Sequence, residues 1–227
     1  MIDYVRTLAR ESRSFVDALD GDPLLGGVIR GDASREHYLW FLQSTYHYLR
    51  WSGSLLAETA EGLRREGRAP WLVDLIDAKA GEESPHDLWV LDDLRCCGLN
   101  VELLKASSAP RAVNAYVEQS RCWAEAGSPG YLGAAYTLEF ISAQRAKIAA
   151  NNLRTRARIP NIDQAVSFLD GHGDADTGHV ALLEDVLGRI DAPQDQDDIV
   201  LSAKQLRRLY PRFFARARPI AGRTGDA

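Results

Sequence analysis

Cysteine is scarce. The 227 residues hold three, Cys96, Cys97 and Cys122, two of them adjacent. An odd count without a Cys-x-x-Cys pair argues against a disulfide framework and a cysteine zinc site, and for reduced thiols. Long hydrophobic runs are missing too: no apolar stretch reaches the roughly 18 residues a spanning helix needs. The opening residues, MIDYVRTLARESRSF, lack the apolar core of a secretory signal. The expectation is a soluble, cytoplasmic protein. Excess positive charge is also absent. With 27 Lys and Arg against 32 Asp and Glu, the net charge of −5 gives no electrostatic reason to expect nucleic acid or an anionic membrane as partner. There is no sustained strand-like alternation, no Asn-Gly hairpin signal, no internal repeat and no linker long enough to divide the chain. These absences leave an all-α protein, expected as one domain over residues 1–227.

What is present fits that class. Apolar residues make up 45% and charged residues 26%, ordinary for a soluble globular chain. Helical periodicity runs over residues 3–19, then from Ser34, a good N-cap, to about Glu66. A further run covers residues 71–98, with a helix start or a kink expected at Ser84-Pro85. Pro110 to Ala126, Tyr131 to about Ala157, Ile162 to Ile190 and Asp197 to Arg218 complete about seven helices. Residues 219–227 are expected to fray.

The chemistry gathers in FLDGHGDADTGHVALLE, residues 168–184. His172, Asp176 and His179 are spaced i, i+4 and i+7, which at about 100° per residue puts them on one helix face. Imidazole and carboxylate together suit iron, manganese or zinc. Gly171, Gly173 and Gly178 weaken the same helix. A stretch that gives up local stability while gathering ligand-type residues reads as a site. Ligands from facing helices complete such a centre. His86 follows Glu82 and Glu83 by four and three residues. Glu139 lies in a helix whose own stripe is almost entirely small, Ala135, Ser142, Ala143, Ala146 and Ala150; a carboxylate there is costly to bury without a partner. The candidate set is Glu83, His86, Glu139, His172, Asp176 and His179. Six such donors suit non-haem iron better than a four-coordinate zinc. Plainer roles are open to several of them: Glu139 as the ion-pair partner of Arg145 or of an arginine on another helix, His86 as a helix-start residue, Glu83 as a solvated acid. For the substrate, Tyr46, Tyr48, Trp51, Ala135, Tyr136, Phe140, Ser142 and Ala143 are candidate pocket residues, and Arg50, Arg145 or Lys147 could hold a carboxylate.

The helix pattern, the glutamate at 139, the His172-x-x-x-Asp176-x-x-His179 run and the segment from Glu82 to Leu94 resemble the haem-oxygenase-like di-iron oxidases, iron-containing redox enzymes of the TenA/haem-oxygenase-like fold. The resemblance covers most of the chain. It implies two non-haem irons per chain, the second weakly held, with O2 activation against an amino-acid-like or fatty-acid-like metabolite. The expected reactions are N-oxygenation, desaturation or C–C cleavage. It further implies an external electron donor in some reactions and pairing into homodimers. One position departs from the pattern. Several members place an acid two helical turns before the first histidine, where this chain has Lys79. Other members use Glu-x-x-His, which Glu83 satisfies.

Three other readings compete. A metal-free TenA-like hydrolase needs a nucleophilic cysteine, and Cys96, Cys97 and Cys122 fall at a helix end and in a connecting helix. A ferritin-like bundle uses two Glu-x-x-His motifs, whereas here the second is Asp-x-x-His with a third histidine added. A haem-binding or regulatory helical domain, not an enzyme, would take His37 or His47 as axial ligand.

Overall fold

A computed structural model describes residues 3–215, the side chains of residues 174–177 excepted. Among the described residues there are eleven α-helices, one 3-10 turn at Ile162–Gln164 and no strand. The helices are α1 (Asp3–Leu19), α2 (Leu25–Arg30), α3 (Arg35–Leu49), α4 (Ser52–Arg65), α5 (Pro70–Glu83), α6 (His86–Cys96), α7 (Val101–Lys105), α8 (Arg111–Glu125), α9 (Tyr131–Arg156), α10 (Ser167–Gly188) and α11 (Pro193–Phe213). The expected number of about seven is therefore too low. Short α2 and α7 form between the long helices, and two expected runs are each split in two. The segment expected to fray lies outside the described residues. No described helix is long and apolar enough to cross a membrane.

The splits have different causes. Ser34 starts α3 as its spacing predicts, its hydroxyl accepting from the His37 amide. The run then breaks at Arg50 and Trp51, where no Gly or Pro signals a stop. Tertiary contacts occupy the break: the Arg50 and Arg121 guanidinium groups lie 5.4 and 5.0 Å from the Trp51 ring centre. The second split is local. Pro85 has no amide to donate back along the helix, and its ring crowds the preceding turn. Yet Ser84 and Pro85 both keep right-handed backbone angles, so α5 and α6 are two arms of one kinked run.

Helix α9 is the axis. Its 26 residues span about 39 Å, and it packs on α10, α11, α2 and α1. Being covered on several sides, it buries Tyr136, Thr137, Glu139 and Phe140 in succession, which a one-sided amphipathic helix would not do. Helix α10 lies along it. Gly173 allows the close approach: a Cβ there would meet the Lys147 amide nitrogen at 2.8 Å. Gly171 does the same for α6, where a Cβ would meet the Trp89 ring at 2.6 Å. These glycines cost helix propensity locally and recover it in interhelical packing.

The start of α10 is held from outside. Its own N-cap position, Val166, offers no side-chain acceptor. The buried carboxylate of Asp93, on α6, accepts from the Ser167 amide at 2.8 Å, the Phe168 amide at 3.0 Å and the Ser167 hydroxyl at 2.6 Å. A carboxylate at the positive end of a helix satisfies its orphan donors. At the same end the Arg154 guanidinium of α9 pairs with Asp170. The position of α10 relative to α6 and α9 is thereby fixed.

Candidate metal centre

The kink at Pro85 leaves Lys79, Glu83 and His86 on one face, at i, i+4 and i+7 along the α5–α6 run. Glu139 reaches the same point from α9, and His172 and His179 from α10. Among the described residues two groups of metal-type donors form there, Glu83–His86–His172 and Glu83–Glu139–His179, each with one ligand atom per residue within 4.8 Å of the others. Glu83 belongs to both. Five of the six expected ligands thus converge; the Asp176 side chain lies outside the described residues.

The first group is buried and aromatic-walled. His172 is 7% exposed, and its Nδ1 lies 3.1 Å from the Phe168 carbonyl. That contact requires Nδ1 to carry the proton, which leaves the Nε2 lone pair available to a metal. Burial, reinforced by neighbouring His86, pushes the His172 pKa down to about 4, so the ring is neutral near pH 7. The His86 ring stacks on Trp89 at 4.4 Å and meets His172 edge-on at 4.8 Å. Phe168 and Trp89 flank His172 at 4.6 and 5.6 Å. His86 Nδ1 is 3.2 Å from Glu83 Oε2. Burial alone would raise the Glu83 pKa; His86 and Lys79 reverse that and hold it at about 2, an ionised carboxylate. Two imidazoles and one carboxylate are the donor set of mononuclear non-haem iron sites. The residues present fit one such ion.

The second group has a cation in it already. Lys79 Nζ lies 2.7 Å from Glu83 Oε1, 2.8 Å from Glu139 Oε1 and 2.9 Å from His179 Nδ1. An ammonium has three protons and no lone pair, so each contact is a donation and His179 Nδ1 is the acceptor. Glu139 pulls the imidazolium form of His179 upward, but an imidazolium Nδ1–H would face the ammonium; the neutral ring is the state the contact allows. Burial would lower the Lys79 pKa, and Glu139 and Glu83 more than offset it, so the net shift is upward and the lysine is charged. Glu139 is likewise ionised: burial raises its pKa, and the Lys79 ammonium against Oε1 helps to turn the net shift downward. Its Oε2 is buried with no hydrogen-bond partner among the described residues, 3.5 Å from His179 Nδ1. Arg145, the plainer partner expected for Glu139, instead binds Asp20, with its Nε 2.8 Å from Oδ1.

A cavity of about 130 Å³ opens onto this second group. Lys79, Glu82, Glu83, Glu139 and His179 are among its polar lining, and Leu56, Ile76, Leu132, Ala135, Leu138 and Leu183 are among its apolar walls. Of the expected pocket residues, Ala135 lines it. Tyr46, Trp51, Tyr136, Ser142 and Ala143 do not. Tyr136 is fully buried and donates to Glu184 at 2.8 Å. Ser142 faces a separate cavity with Phe41, Tyr48 and Phe168. Of the first donor group Glu83 lines this cavity, and His86 and His172 do not.

Sequence alone does not single out Trp89, Phe168 or Asp93. Asp93 leaves a signal: it is an acid two turns after His86, among Val90, Leu91 and Leu94. The residues of the competing readings lie elsewhere. Cys97 is buried, with its thiol pKa raised chiefly by that burial, Cys122 is exposed, and no cysteine lines the cavity. His47 is buried with Nε2 3.3 Å from the Ser107 hydroxyl, and His37 is exposed on the first turn of α3.

Comparison with known proteins bears on this arrangement. No functionally curated protein matches the chain. Among solved structures it superposes on a domain of unknown function with a haem-oxygenase-like fold from Shewanella denitrificans, with TM-score 0.81, 20% identity, and 94% of this chain and 91% of that one covered. It also superposes on a TenA homologue from P. horikoshii, with TM-score 0.70, 14% identity, and coverage of 94% and 97%. At such identities these likenesses establish the haem-oxygenase-like, TenA-like fold. The family model described as iron-containing redox enzyme matches residues 39–210, a span that includes every donor described above. By that match over most of its length, the chain belongs to the iron-containing redox enzyme family.

Proposed function

We propose that the protein is a non-haem iron-dependent oxidoreductase that uses O2 on a slender, largely apolar metabolite seated in the cavity above Lys79, Glu139 and His179. The observation that carries this reading is the buried Glu83–His86–His172 group, with His172 oriented by the Phe168 carbonyl. Iron, when bound, supplies the O2 activation and electron transfer that no side chain here can perform. The protein's own residues hold and shape. Glu83, His86 and His172 are the ligands. Asp93 fixes the start of α10 and, through Phe168, the tautomer of His172. Trp89 and Phe168 keep water from the imidazoles, and the leucine-rich wall favours an apolar chain over a charged one. N-oxygenation, desaturation and C–C cleavage remain the reaction classes to screen, on fatty-acid-like substrates first and amino-acid-like ones second. An external electron donor and a homodimer belong to the same proposal.

The test is iron content after anaerobic loading with ferrous iron, followed by O2 consumption with candidate substrates. Bound iron that is lost in both His86→Ala and His172→Ala supports the reading. A folded protein that takes up no iron contradicts it. That outcome would favour metal-free chemistry on the same fold, a reading consistent with the way Lys79 pairs with both carboxylates.

A further inference from the structure

The donor set Glu83–Glu139–His179 surrounds the Lys79 ammonium. Its nitrogen lies 2.7–2.9 Å from one ligand atom of each residue. A metal bound to the same three atoms would need distances of about 2.0–2.2 Å, in the space the ammonium fills. The two cannot be there together. We infer that Lys79 is a built-in cation standing where a second metal would sit, and that the centre is mononuclear, with a single iron at Glu83, His86 and His172. This inference rests on the iron-dependent reading above and deepens it.

Three observations support it. Glu83 is shared, one oxygen on Lys79 and the other on His86, so it links the ammonium to the first donor group. Charge agrees as well. The Lys79 ammonium already sits against both Glu83 and Glu139, so a divalent ion placed beside it would set like charges in contact. The lysine is also held where it is: its side chain is 13% exposed, all three of its protons have acceptors, and apolar cavity walls flank it. Displacing it would strand an ammonium or two carboxylates in the interior. Lys79 therefore has a positioning role. It keeps Glu139 and His179 together at the cavity floor and orients Glu83 toward the iron.

Native mass spectrometry of the full chain, loaded anaerobically with ferrous iron, counts the ions directly. One iron per chain is expected in the wild type, rising to two in Lys79→Glu, where an acid replaces the ammonium. Lys79→Met, which removes the charge without adding a ligand, guards against a Glu variant that does not fold and should bind more iron than the wild type at saturating metal. Two irons in the wild type would overturn the inference while leaving the iron-dependent reading intact. A single iron in the wild type and in both folded variants would also overturn it, since Lys79 would then not be what limits the count. No iron in folded wild type would instead bring down the underlying reading.

Discussion

Lys79 Nζ and Glu139 Oε1 lie 2.8 Å apart, an interior ion pair joining α5 to α9. It explains how an acid in a stripe of small residues is tolerated, and why that acid does not need a metal to be held in place. Both members of the pair line the cavity, which neither His86 nor His172 does.

Asp93 should be worth more than a surface acid. Its carboxylate serves three donors at the start of α10, and capping and charged hydrogen bonds each contribute about 1–3 kcal/mol. Asp93→Ala is expected to lower the unfolding free energy by roughly 2–4 kcal/mol, read from urea melts. Because Phe168 orients His172, iron affinity in the same variant should fall by about tenfold or more.

The glycines of α10 should separate by function. Gly173→Ala drives a Cβ to 2.8 Å from the Lys147 amide and should destabilise by about 1–3 kcal/mol. Among the described residues a Cβ at Gly178 would meet no packing neighbour within 4 Å, so Gly178→Ala should stabilise by about 0.5–1 kcal/mol. Thermal melts of the two variants are expected to move in opposite directions.

Acid should weaken the metal-free protein through two buried histidines. Burial, with Arg50 adding to it, lowers the His47 pKa from 6.5 to about 4, and His172 is lowered to about 4 as well. Between these values the unfolded chain takes up protons that the folded chain refuses. Stability is therefore full above pH 6.5, falls as the pH drops toward 4, and levels off below that. Each histidine contributes a slope of at most about 1.4 kcal/mol per pH unit. In His47→Gln about half of the slope should vanish, as measured by denaturant melts across that window.

Ala135 tests the cavity without touching a ligand. Ala135→Phe fills the space beside Glu139 and should leave iron content unchanged while cutting turnover of an apolar substrate on the order of tenfold or more. Unchanged turnover at full iron content would place the substrate elsewhere.

Helical periodicity makes most of the fold legible. Tyr131 to Ala157 can be read nearly to the residue, since Gly130 and Pro160 bracket it. The break at Arg50–Trp51 cannot, because no Gly or Pro marks it and the Arg121 guanidinium beside Trp51 comes from another helix. Spacing and family resemblance together name the candidate ligands, and Lys79 stands out as a departure from the expected acid. What it does there is not legible, because its three partners come from α5, α9 and α10 and meet only in the folded chain. Gly171 and Gly173 read as local weakness; their role appears once Trp89 and Lys147 are packed against them. Asp93 caps a helix that lies more than seventy residues further along the chain, a relationship no local pattern encodes.

The most direct measurement is an anomalous difference map at the iron edge, from crystals grown anaerobically with ferrous iron. The expected result is one peak, between Glu83, His86 and His172, with Lys79 still against Glu139. A peak among Glu83, Glu139 and His179 with Lys79 displaced, or no peak in iron-supplied crystals, would contradict it.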